Sequence, residues 1–129
     1  MQQDASRYYY QLKYATNRPR PYQLEPRLQP LEQAGSPAYP SSHAAAAYVA
    51  AYLLSELETG LTNEFQSKAF VMAQSREILG VDYPSDAEAA RLWAREFVNY
   101  LLANPTFQAD WKAVRQEWKR VRKQHRNSL

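Results

Sequence analysis

The chain has 129 residues, enough for one domain with a modest core. It contains no cysteine, which excludes disulfide staples, thiolate metal ligands and a cysteine nucleophile, and its formal net charge of +3 is too mild to point to a partner. No run approaches the ~20 apolar residues of a membrane-spanning helix; the longest candidate, Ala44 to Leu54, is Ala-rich and interrupted by Tyr48 and Tyr52.

The opening Met1-Gln2-Gln3-Asp4 has neither the basic start nor the apolar stretch of a signal peptide. On that reading the chain is either cytoplasmic or lacks its natural beginning, and its compartment stays unassigned. Residues 5–16 are predicted as a short helix with Tyr9, Leu12 and Thr16 on one side. Residues 17–40 then hold six of the eight prolines, which excludes regular structure over that length. So long a loop is usually functional or disordered, and Arg18 and Arg20 at its start favour the functional reading.

His43 to Leu57 is predicted as a helix rich in alanine, capped by Ser41 or Ser42 and with Gly60 where a stop belongs. A second helix spans about Asn63 to Leu79, ended by Gly80, with Phe65, Ala69, Met72, Arg76 and Leu79 facing inward. A third opens at Ser85-Asp86-Ala87-Glu88, read as a capping box between Ser85 and Glu88, and ends at Asn104-Pro105. Its inward line is Asp86, Ala90, Trp93, Phe97 and Leu101. A fourth, Thr106 to His125, carries one apolar stripe of Phe107, Trp111, Val114, Trp118 and Val121. No strand alternation or internal repeat is present, so the fold class is all-α.

Three clusters carry chemistry. Arg76 lies on an apolar stripe, where a charge is costly without a partner; its ordinary reading is an arginine snorkelling to the helix end. Asp86 faces the same question, its ordinary reading being an acidic residue favoured by the helix dipole. Ser41-Ser42-His43 opens a helix whose free amides suit an anion, and a histidine there exchanges protons near neutral pH. Its ordinary reading is a plain N-cap with a surface histidine. Lys13, Arg18 and Arg20 could equally be solvated charges beside a loop.

Together the clusters read Lys-x6-Arg-Pro (Lys13, Arg20, Pro21), Pro-Ser-Ser-His (Pro40 to His43) and Ser-Arg-x5-Asp-x3-Asp (Ser75, Arg76, Asp82, Asp86). This resembles the three-part signature of the superfamily of type 2 phosphatidic acid phosphatases, bacterial non-specific acid phosphatases and vanadium haloperoxidases. Nine of eleven signature positions match; Ser42 stands for a glycine and Asp82 for the nucleophilic histidine. The resemblance implies a helical bundle of the acid phosphatase/haloperoxidase type, short of the N-terminal helices that usually precede the first motif. It implies phosphate binding by Lys13, Arg20, Ser41, Arg76 and the Ser42 amide. It implies His43 as proton donor to the leaving oxygen, Asp82 at the nucleophile's position and Asp86 as its orienting carboxylate. On this reading residues 1–129 form one domain, with a helix at 1–16, a Pro-rich active-site loop at 17–40, four helices over 41–125 and a tail at 126–129.

The expected function is phosphoester hydrolysis, with Asp82 as the objection. A carboxylate can attack phosphorus, but at ~4 Å it repels one phosphate charge by about 4 kcal/mol at an effective dielectric of 20. Losing a nucleophile from a cooperating set costs on the order of a millionfold in rate. The alternative is a catalytically dead member acting in oxyanion binding or as an interaction protein. The partner expected is a phosphate-containing small molecule or lipid, with a second copy of the chain as a candidate cover for the missing helices. No cofactor is expected, since vanadate would need the absent histidine. A metal on Asp82, Asp86 and His43 is disfavoured because hard cations need more oxygen ligands. The basic end, Lys119 to Arg126, reads as cations at a helix C-terminus and a solvated tail, so nucleic acid is not an expected partner.

Overall fold

A computed structural model describes residues 2–127 of the chain. Its elements are α1 (Gln2–Thr16), a single turn α2 (Pro21–Leu24), α3 (Ser42–Leu57), a 3-10 turn (Thr59–Leu61), α4 (Thr62–Ile78), α5 (Pro84–Ala103) and α6 (Pro105–Asn127). No strand occurs among the described residues, and no helix there is long and apolar enough to cross a membrane. The tail expected at 126–129 is helical as far as Asn127; residues 128–129 lie outside the described residues.

α3 is the axis of the fold, packed by α1, α4 and α5. It is apolar nearly all round, as a helix buried on several sides must be: Ala44, Ala45, Ala47, Tyr48, Val49, Ala51, Tyr52 and Leu53 are all buried. Opposite it stand Ala69 and Ala73 of α4 and Ala87, Ala90 and Ala94 of α5. Such small side chains let helix backbones approach closely. Larger groups seal the edges: Trp93 stacks on Phe97 at 4.9 Å and meets Tyr9 edge-on at 5.8 Å, tying α1 to α5.

The helix boundaries follow local chemistry. Ser41 caps α3, its hydroxyl accepting from the Ala44 amide at 3.3 Å. Gly80 takes φ +78° after α4, a region that costs other residues strain. The cap of α5 differs from the expected Ser85–Glu88 box. With Pro84 in the first turn the helix starts earlier, Tyr83 is the N-cap, and its amide donates to Asp86 Oδ2 at 2.8 Å.

Three expected faces are also corrected. α1 buries Ala5, Tyr9 and Lys13, at four-residue steps, while Leu12 is exposed. α4 buries Ala73 rather than Met72, because alanine permits the closer approach to α3. On α6 Trp111 is buried and stacks on Phe107 and Trp118 is half-buried, whereas Val114 and Val121 are exposed.

The Pro-rich loop is ordered and includes the turn α2, which Pro21 opens. Its Leu31 amide donates to Leu79 O at 3.0 Å and its Ala38 amide to Arg18 O at 2.9 Å. Because Ala94 of α5 is fully buried, Ala94→Leu is expected to overpack the core and destabilise the fold by about 1–3 kcal/mol. Urea unfolding followed by circular dichroism measures this.

Candidate active site

The N-terminus of α3, the C-terminal end of α4, the start of α5 and the loop 17–40 meet around the carboxylate of Asp82, whose side chain is 2% exposed. Arg20 donates to Asp82 Oδ1 and, from the same nitrogen, to Val81 O at 2.9 Å. Ser41 Oγ donates to Asp82 Oδ2 at 2.6 Å. Arg76 Nε approaches Oδ2 at 3.7 Å, too far for a hydrogen bond, and is a buried N–H without an acceptor. Three groups that the signature assigns to one oxyanion thus surround an oxyanion belonging to the chain itself.

Arg20 also holds the loop, donating through Nε to Ser36 O at 2.8 Å and through its second terminal nitrogen to Pro37 O at 3.1 Å. Lys13 is fully buried and its Nζ donates to Pro37 O at 2.7 Å and Ala38 O at 3.3 Å. Burial, with Arg20 as the next cause, lowers its pKa to about 8, partly offset by Asp82 and Asp86. Arg76 is completed by Glu32 from the loop, Nη1 to Oε2 at 2.9 Å.

His43, in the first turn of α3, is exposed at the edge of this cluster. Its pKa is lowered from 6.5 by partial desolvation and then by the Arg76 charge, against opposing pulls from Glu32 and Asp82. Ser42 opens α3 with an ordinary backbone, since Asn17 is the described non-glycine residue with positive φ. A serine in place of glycine therefore carries no strain there. Its amide lies in the first turn, where helix N–H groups have no acceptor within the helix.

Asp86 is fully buried, and its oxygens are taken by Arg18 (Nη1 to Oδ1, 2.7 Å) and by the Tyr83 amide. Burial raises its pKa despite those bonds, and the Asp82 charge adds to the rise. Arg18 also donates to Ser85 Oγ at 2.7 Å and lies over the Tyr83 ring at 4.0 Å. Two participants were missed in the sequence reading. Arg18, two residues before Arg20, was signalled only as a loop cation; Glu32 had no signal. Among the described residues no group of three or more His, Asp or Glu side chains is placed to hold a metal ion.

Guanidinium and hydroxyl donors that converge on one point suit an oxyanion, and here that point is held by the Asp82 carboxylate. Two sequence comparisons bear on it. The profile of the PAP2 superfamily matches residues 6–108. A non-specific acid phosphatase from Providencia stuartii is 33% identical over 85 residues, which are 66% of this chain and 34% of that protein. The aligned stretch spans about a third of that relative's length.

Lys13 makes a specific contribution to pH dependence. Its folded pKa of about 8 lies below the unfolded 10.5, so the unfolded chain binds more protons between those values. The buried charge is therefore a cost at pH below about 8 that is relieved as pH rises to 10.5. In Lys13→Met the rise in unfolding free energy across that window is expected to shrink by on the order of 3 kcal/mol. Denaturant titrations of both proteins at pH 7.5 to 10.5 read it directly.

Proposed function

Because the chain belongs to the PAP2 superfamily, we propose that it is a phosphatase-like hydrolase of phosphate esters whose turnover is limited by Asp82. The observation that carries this is the convergence of Arg20, Ser41 and Arg76 on one carboxylate, with His43 beside them. The buried Arg76 Nε, lacking an acceptor, faces the same point. The phosphoryl oxygens of a small phosphate ester or a lipid headgroup are the ligands these donors fit. The similarity to an acid phosphatase over the matched stretch supports the same reaction class.

In this reading Lys13, Arg20, Arg76, Ser41 and the Ser42 amide balance the charge of the phosphoryl group. An Asp82 oxygen attacks phosphorus, the ester oxygen leaves with a proton from His43, and water then hydrolyses the acyl phosphate. Asp86 keeps Arg18 and the first turn of α5 in place. A second reading, a non-catalytic oxyanion-binding or interaction protein, is favoured by one feature. Both oxygens of Asp82 already accept hydrogen bonds, which draws electron density away from attack.

Turnover of p-nitrophenyl phosphate separates the two. The wild-type chain is expected to hydrolyse it slowly, and Asp82→His to raise kcat by about a hundredfold or more. Since the pKa of His43 is lowered, its acid form is lost as pH rises through a value below 6.5. The alkaline limb of kcat/KM should fall there and vanish in His43→Asn. If wild type and Asp82→His both fold and bind phosphate without turnover, the non-catalytic reading stands.

A further inference from the structure

The charged groups of the cluster are already matched among themselves. Arg18 pairs with Asp86, Arg20 with Asp82 and Arg76 with Glu32, while Lys13 is held by two backbone carbonyls. Asp82 is the member of this set whose oxygens lie where Arg20, Ser41 and Arg76 converge. It is also held through the backbone. Its backbone is pinned to the end of α4 by the Val81 amide bonded to Arg76 O at 3.2 Å and its own amide to the same oxygen at 3.4 Å. A carboxylate carries two acceptor oxygens in a plane, half the coordination of a phosphate and of the same sign.

We infer that Asp82 is a resident ligand of the oxyanion cradle, a tethered carboxylate that a free tetrahedral anion must displace before it can bind. The inference rests on reading the cradle as an oxyanion site, and it adds what governs access to it. Tethering gives the side chain a high effective concentration at the donors. The state competent to bind a free anion is then a minor one, and apparent affinity falls by its fraction. Displacement would also leave a buried negative charge beside an incoming one, so dianions are disfavoured most.

The test is isothermal calorimetry with sulfate and inorganic phosphate on wild type, Asp82→Ala and the isosteric Asp82→Asn. Both variants are expected to bind sulfate about tenfold or more tightly than wild type. Free acetate, the chemical equivalent of the missing side chain, should compete with sulfate in Asp82→Ala and have no such effect in wild type. Asp82→Asn keeps the shape and packing of the site and carries the test should Asp82→Ala fail to fold. If wild type binds sulfate as tightly as the folded variants, the resident-ligand inference is overturned while the hydrolase reading survives. If no protein in the series binds either anion, the oxyanion cradle itself is rejected and both readings fall.

Discussion

A buried carboxylate that must be neutralised organises this molecule. Asp82 is almost wholly removed from solvent, and an unpaired charge in such a place costs several kcal/mol. Its neutralisation requires Arg20 from the loop, the Ser41 hydroxyl from the head of α3 and Arg76 from the end of α4. Arg20 lies 62 residues from Asp82 in the chain. Satisfying one charge therefore fixes the mutual position of three elements.

The loop 17–40 depends on the same charges. It contributes little to the apolar core; Ala38 is buried, but Leu24, Leu28 and Leu31 are exposed. What orders it is cation-to-carbonyl bonding, from Lys13 to Pro37 and Ala38 and from Arg20 to Ser36 and Pro37. Prolines lower the entropy lost on ordering the chain, and their missing N–H groups leave carbonyls for buried cations to satisfy. The path of the loop and the geometry of the cradle are in this sense one structure. Glu32 shows the consequence, since a half-exposed loop residue becomes the direct partner of a buried arginine on α4.

The helical frame makes the close approach possible. Ser41 can reach Asp82 because α3 meets α4 and α5 through alanines, which keep backbones near one another. The Ser41 amide also donates to Asp86 O at 3.1 Å, joining the head of α3 to the head of α5. Ser41 accordingly has three roles: cap of its own helix, link between helices, and donor to the buried carboxylate. Bulk at the alanine positions would separate these ends without touching a charged group.

The all-α class, the alanine-rich α3, its serine cap and the glycine after α4 were legible in the sequence. Each rests on local chemistry, namely helix propensity, first-turn hydrogen bonding or positive φ. The cap of α5 was misread because Pro84 in the first turn outweighs a Ser-x-x-Glu pattern one residue later. The sequence also marked Lys13, Arg20, Ser41, His43, Arg76, Asp82 and Asp86, through their resemblance to a three-part family signature. Spacing could not tell whether the apolar stripe of α6 is covered past Trp111, since periodicity describes one face of a helix and not its neighbour. Nor could it say which carboxylate would answer which cation. The pairs Arg18–Asp86, Arg20–Asp82 and Arg76–Glu32 are decided by distances of a few ångströms between remote segments. At that range burial and geometry select the partners, and only the packed helices set both.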